Sequence, residues 1–213
     1  VQSTSVIASG AAWGAEFAPR GEYLLDRDNG ATMLTIPFGH TIDALTMVLG
    51  EFTDLTATTA IRRRQVRSEA TGQLTPMTAA DQIAVSGVLE GGAVASVHFR
   101  GGMSRATNFH WEINGSAGDL VLTGGTGNVQ FGGAIVYGAQ GGDIAPKELP
   151  VPTSYRSNAQ VAASTTETSY TVAYAYEQIL ADLTDGTYHV PDFAHAARRH
   201  RLLDRIERAA VRT

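Results

Sequence analysis

The sequence contains no cysteine in its 213 residues, which excludes disulfides, thiolate metal sites and a cysteine nucleophile. Lysine is nearly absent too. Lys147, in the proline-flanked stretch APKELP, is the only one, so chemistry that needs a lysine amine has a single, loop-like candidate. Positive charge is sparse overall: 16 Lys and Arg stand against 21 Asp and Glu, a formal net charge of −5. No broad basic field exists to hold nucleic acid or an anionic membrane. The one basic run, Arg62-Arg63-Arg64 with Arg67, reads as a solvated strand end or loop rather than a phosphate site. No apolar stretch approaches the ~20 residues of a membrane-crossing helix, and no signal peptide is visible. The expectation is a cytoplasmic protein without nucleic-acid or membrane partners. The chain opens on Val1, in a run that already reads as a strand, and is taken to be part of a longer polypeptide.

What is present is ordinary globular material, 43% apolar and 17% charged, enough for one large core or two small ones. Residues 1–10 alternate as a strand does. Residues 11–30 read as a loop, with a turn at Asn29-Gly30. Residues 39–50 read as a helix, with Ile42, Leu45 and Leu49 on one side and Gly50 as its stop. Strands follow near 52–63, 82–90 and 93–100, with a hairpin turn at Gly91-Gly92. In AVASVHFR, Ala95, Val97 and Phe99 face one way while Ser96, His98 and Arg100 face the other, the pattern of a sheet covered on one face. FHWEINGSAGDLVLTG is a further strand pair turning at 115–118, and short strands near 127–138 extend the sheet. Residues 140–162 read as a long loop. Two helices close the chain. A capping box at Ser164 and Glu167 opens the first, and an apolar stripe of Val172, Tyr176, Ile179, Leu180 and Leu183 runs to a stop at Asp185-Gly186. Pro191-Asp192 opens the second, with Phe193, Ala196, Leu203 and Ile206 broadly on one side. Strands in runs with helices at the ends predict an α+β fold: an open, mostly antiparallel sheet with its helices on one face.

Several chemistries lack their signature. Gly124-Gly125-Thr126-Gly127 follows a strand, but a strand-like run, 128–131, comes after it. A dinucleotide loop needs a helix there to receive the pyrophosphate, so the segment reads as a hairpin turn. His195 and His200 lie five apart on a helix, poor spacing for one metal ion. His98 and His110 lie on strands and face solvent or a partner sheet. No G-x-S-x-G elbow supports a serine nucleophile.

The stretch TIPFGHTIDALTMVLGEF, residues 35–52, carries more. On the helical wheel His40, Asp43 and Met47 gather opposite Ile42, Leu45 and Leu49. A histidine titrates near neutrality and can exchange a proton with a substrate hydroxyl, and a carboxylate one turn on could orient it. The plainer alternative is a helix-start histidine satisfied by a backbone carbonyl.

At GHTIDAL the sequence resembles the glucose–fructose oxidoreductase/inositol dehydrogenase/MocA (Gfo/Idh/MocA) family, and it resembles the C-terminal domain alone. GATMLTIPFGHTIDALTMVLGEF, DQIAVSGVLEGGAVASVHFRGG, WEINGSAGDLVLTG and DFAHAARRHRLLDRIERAA carry the resemblance, in this order, over essentially the whole chain. The FGHTID form is similar to the branch that includes a fungal galactose-regulon repressor. The resemblance implies that residues 1–213 form a substrate-binding and oligomerisation domain. It implies that NAD or NADP is bound mainly by an N-terminal Rossmann domain absent from this chain, and that hydride transfer occurs at a sugar or polyol carbon. It also implies a homo-oligomer formed through the open sheet face. His40 matches the family's active-site histidine and Asp43 the acidic residue after it, as a substrate contact. Trp13, in AAWG, either walls the same pocket or is a core residue. One departure stands out. Many members carry an aspartate four residues before the histidine, where this chain has Ile36. The usual lysine, aspartate and histidine relay is therefore incomplete here. Three readings follow: the substrate domain of an NAD(P)-dependent oxidoreductase, a nucleotide- and sugar-sensing regulator without turnover, or a free-standing association domain.

Overall fold

The computed structural model describes residues 1–131, 133–152, 155 and 167–212. A nine-stranded sheet forms its frame. The strands are β1 (Ser3–Gly10), β3 (Phe52–Ala60), β6 (Gln82–Leu89), β7 (Val94–Gly101), β8 (Phe109–Asn114), β9 (Gly118–Gly124), β10 (Ile135–Gln140), β11 (Lys147–Glu148) and β12 (Ala210–Arg212), in the order β11-β10-β9-β8-β1-β7-β6-β3-β12. Within this sheet, among the described residues, only β1 with β7 and β12 with β3 pair in parallel, so the expected open, mostly antiparallel sheet is present. A second, three-stranded sheet joins β2 (Glu16–Phe17), β4 (Gln65–Ser68) and β5 (Leu74–Pro76). Among the described residues three α-helices complete the fold: α1 (Pro37–Leu49), α2 (Glu167–Asp185) and α3 (Phe193–Ala209).

The alternation in β7 has its expected consequence. Ala95, Val97 and Phe99 are buried, while Ser96 and His98 stay exposed on the open face. The buried layer receives Phe38, Ile42 and Leu45 of α1 and Leu202, Leu203 and Ile206 of α3. Phe38 and Phe99 meet edge to face at 6.3 Å, a favoured aromatic geometry. Burying each of these large side chains stabilises the fold by about 1.5–3 kcal/mol.

Several expectations are corrected. Helix α1 begins at Pro37 rather than 39, because a proline in the first turn loses no helical hydrogen bond. The first long strand stops at Ala60 rather than 63, since the backbone N–H groups of Arg62 and Arg63 turn in to donate to the buried Asp81 carboxylate at 2.9 and 2.8 Å. Val129–Phe131 is one turn of 3-10 helix, not strand. In α3 the inward side is Arg199, Leu202, Leu203 and Ile206, while Phe193 and Ala196 are exposed. The apolar stripe of α2 faces outward. Strands β2, β4, β5, β11 and β12 are not predicted by the sequence pattern, and β11 lies within the stretch 140–162 expected as a long loop. The serine of the capping box at Ser164 and the side chain of Glu167 lie outside the described residues.

Candidate functional site

His40 owes its position to what holds α1 down. Phe38, Ile42 and Leu45 are fully buried and fix the helix on the sheet. Thr41, also buried, donates its hydroxyl to Gly127 O at 2.7 Å. Gly127 has to be glycine for this approach: a β-carbon there would lie 2.8 Å from both Ala8 Cβ and the Phe99 ring. The loop after β9 is therefore stitched to α1 at Gly127 and to β1 through the Gly127 N–H, which donates to Ser9 O at 2.8 Å. His40 stands between these fixed neighbours, on the first turn, with its side chain exposed. Its backbone N–H donates to Ile36 O at 3.0 Å. Among the described residues its ring has no hydrogen-bond partner, so the backbone carbonyl of the plainer reading does not take it.

Asp43 does something the sequence did not disclose. Its Oδ1 lies 2.7 Å from Nε2 of His195 and 2.8 Å from Nε of Arg199, both on α3. Arg199 then reaches Glu51 through Nη2, 3.0 Å from Oε1, and Nη1, 3.3 Å from Oε2. Burial alone pushes the Asp43 carboxyl up, but Arg199 and His195 outweigh it and hold the group below its ordinary 3.8. The carboxylate is thus a clamp between α1 and α3, and no hydrogen bond joins it to His40 among the described residues. The expected His/Asp edge exists as a surface, with Met47 exposed beside it, but the two polar residues serve different neighbours.

Trp13 is 5% exposed and belongs to the core, the second of its two expected places. Its indole N–H donates to Leu24 O at 2.9 Å. Its backbone sits at φ +58, a conformation that a bulky residue adopts only when its surroundings over-determine it. Here the neighbouring strand supplies that constraint. A β-carbon on Gly101 would lie 2.4 Å from Trp13 O, so the tryptophan backbone crosses over a glycine.

Sequence reasoning missed two groups of residues, each of which ties α1 to a segment far along the chain. His195, Arg199 and Glu51 form the clamp, and Thr41 and Gly127 form the stitch. The signal for the clamp was the i, i+4 spacing of His195 and Arg199, which puts both on one side of α3. Read as metal spacing, with His200 in place of Arg199, it pointed elsewhere. Among the described residues no group of three His, Cys, Asp or Glu could hold a metal ion, and no helix is long and apolar enough to cross a membrane. Lys147 pairs with Asp143 at 2.6 Å on an exposed edge, far from a catalytic setting. On the open sheet face His98 meets Gln82 at 3.3 Å and His110 meets Glu112 at 2.9 Å. That face bears a shallow hollow of about 560 Å³ lined by Ser5, Ile7, Thr56, Ser86 and His98 among others.

Comparison with known proteins gives this geometry its relatives. Residues 1–124 match the family described as Gal80p, C-terminal domain. The galactose/lactose metabolism regulatory protein GAL80 of Kluyveromyces lactis is 29% identical over 148 residues, covering 64% of this chain and 32% of that protein. The crystal structure of a super-repressor mutant of Gal80p from Saccharomyces cerevisiae superposes with a TM-score of 0.83 at 22% identity, over 98% of this chain and 56% of that one. Levoglucosan dehydrogenase in complex with NADH and L-sorbose shares the fold, with a TM-score of 0.70 at 18% identity, over 98% of this chain and 56% of that one. The chain thus spans about a third of the curated relative and about half of the solved chains.

Proposed function

This chain belongs to the family of Gal80p C-terminal domains, and on that premise we propose that it is the substrate-side domain of an NAD(P)-dependent oxidoreductase acting on a sugar, polyol or related hydroxy compound. The observation that carries the reading is His40: an exposed histidine, without a side-chain partner among the described residues, on the first turn of a helix whose opposite side is buried and which is clamped to α3. A base that must meet a substrate hydroxyl needs a free ring on a rigid support. His40 accepts the hydroxyl proton, and Asp43 acts through position, keeping α1 seated on α3 rather than touching the substrate.

The nucleotide is assigned elsewhere. Residues 124–131 do not fit a dinucleotide, because the loop leads into a single 3-10 turn and Gly127 is packed against Ala8 and Phe99. NAD or NADP is therefore assigned to a domain outside residues 1–213; levoglucosan dehydrogenase, a protein of shared fold, has been solved in complex with NADH. The open face of the sheet, with its hollow at Ser5, Ile7 and His98, is the surface through which a homo-oligomer forms. The same reading expects a cytoplasmic protein.

A second reading is favoured by one specific residue. Ile36 stands where the family resemblance implies an aspartate, and the curated relatives are named as regulatory proteins. A regulator would bind nucleotide and sugar without converting them. The deciding experiment offers the full-length gene product NAD⁺ and NADP⁺ with a panel of sugars and polyols, following both reduction and binding. Turnover supports the enzyme. Binding without turnover supports the regulator, and the absence of both removes both readings.

A further inference from the structure

The fold takes apart the basic run that follows β3. The backbone N–H groups of Arg62 and Arg63 are tied to the buried Asp81 carboxylate, and Arg63 adds its guanidinium, with Nη1 3.4 Å from Oδ2. Arg67 donates through Nη1 to Gly72 O at 2.7 Å. Arg64 has a different setting. Its carbonyl accepts from the Met77 N–H at 3.0 Å, which fixes its backbone. Its side chain is exposed and lines a cavity of about 270 Å³. Among the described residues the Arg64 guanidinium has no hydrogen-bond or ion-pair partner.

The cavity lies between the segment before α1, the end of β3 and the last turn of α3. Leu34, Ala60, Ile61 and Ala80 make its apolar wall. Its other two charged residues answer each other: Arg27 Nη2 lies 3.3 Å from Glu207 Oε1. Arg64 is thus an unanswered positive charge beside an apolar wall. The hydroxyl of Thr59, a half-buried residue of the same lining, also has no partner among the described residues. This combination selects an occupant by charge and shape. A guanidinium holds a carboxylate through two parallel N–H···O bonds. A dianion such as phosphate meets Glu207 on the same wall, with one free guanidinium to set against two charges. A neutral apolar molecule leaves Arg64 unmatched. The volume falls just below the ~300–1,000 Å³ typical of drug-sized ligand sites, so the occupant is small.

We propose that this cavity is a binding site for a small organic monocarboxylate, its carboxylate on the Arg64 guanidinium and its apolar body against Leu34, Ala60, Ile61 and Ala80, with Thr59 as a further donor in the same wall. His40 and the residues of the clamp do not line it, so the site stands apart from the reaction proposed above.

Calorimetric titration of the full-length gene product with isovalerate and with benzoate, set against isovaleramide, benzamide and inorganic phosphate, tests this. The expected result is saturable binding of at least one of the two carboxylates in the millimolar range or tighter, with its amide and phosphate at least about tenfold weaker. Arg64→Gln weakens carboxylate binding by about tenfold or more, and Arg64→Lys by less, because the charge stays while the fork is lost. Ala80→Leu, which fills the cavity from its apolar wall, abolishes binding with Arg64 still in place. The unfolding midpoint of the Arg64 variants should match the parent, since the side chain is exposed; if Ala80→Leu lowers its own midpoint, the two Arg64 variants decide. Absence of saturable binding by both carboxylates overturns the proposal. So does binding that Arg64→Gln leaves unchanged, equal affinity for acid and amide, or a preference for phosphate. No readout uses nucleotide or sugar. A protein that holds a carboxylate through Arg64 and binds neither NAD(P) nor sugar loses the proposed function and keeps this site.

Discussion

Helices α1 and α2 are both amphipathic, and they are set in opposite senses. Helix α1 turns Phe38, Ile42 and Leu45 to the sheet and leaves His40 and Met47 in water. Helix α2 turns Glu177, Gln178 and Asp182 inward and leaves Tyr176, Leu180 and Leu183 in water. Periodicity in a sequence states that a helix has a side to cover. It does not state whether the cover is the helix's own domain or something that arrives later. Among the described residues the polar edge of α1 and the apolar edge of α2 are surfaces that the domain's own packing leaves uncovered, as it does the open face of the sheet.

The sharpest way to break this comparison is at His40. In the full-length enzyme His40→Ala is expected to lower kcat by about 10²–10⁴-fold, the loss typical of a proton-transfer group, with the thermal unfolding midpoint unchanged. Normal turnover by this variant would reduce the polar edge of α1 to ordinary surface. Next in size is the core side of the same helix. Ile42→Ala should destabilise the 213-residue chain by about 2–5 kcal/mol in denaturant unfolding, because the side chain is fully buried. The clamp comes third. Asp43→Asn should cost on the order of 1 kcal/mol, discounted because the carboxylate keeps 35% of its side chain in water. Its pH signature has a definite sign. The folded carboxyl is held below its ordinary 3.8, so its contribution is complete above the unfolded value and is lost as pH falls from there through the folded one. Stability measured from pH 6 downward should therefore decline more steeply below about pH 4 in the parent than in Asp43→Asn. A matching slope in the two would show that the clamp contributes nothing. The smallest effect sharpens the contrast with Ile42. Leu180→Ala should change the stability of the 213-residue chain by less than about 0.5 kcal/mol, although the same pattern of apolar residues marks both positions. A loss of 2 kcal/mol or more there would mean that α2 packs its stripe on this domain after all.

The sheet was largely legible because strand alternation is local. Ala95, Val97 and Phe99 against Ser96 and His98 can be read from neighbouring residues, and the hairpins at Gly91-Gly92 and 115–118 follow from turn chemistry. The three-residue strands β5 and β12 were not legible, since so few residues carry no period, and β12 exists only because α3 returns the chain to the edge of β3. The site divides the same way. His40 and its helix stand within one short motif. The clamp depends on Arg199 meeting Asp43 from 156 residues away, and nothing local to Asp43 announces that partner. The inward polar side of α2 runs against its own pattern, since an apolar stripe ordinarily marks the side turned to the core. Trp13 carried no directional signal in its flanking AAWG, and only the structure assigns it to the core.

One feature of the sheet bears on how the chain acquires its shape. Strand β1 lies in mid-sheet, between β7 and β8, and Thr4 donates its hydroxyl to Glu112 O, 108 residues away. Strand β1 thus waits for the chain to reach Val94, the partner of Ser3, before the first of its edges is matched. Closing such long loops precedes the contacts that reward it, which places folding in the millisecond-to-second range rather than the microseconds open to helical bundles. During that interval Val6 and Ala8 are bare, on a strand with two open edges. The central strand of the finished sheet is thus open to wrong pairing until β7 and β8 close on it.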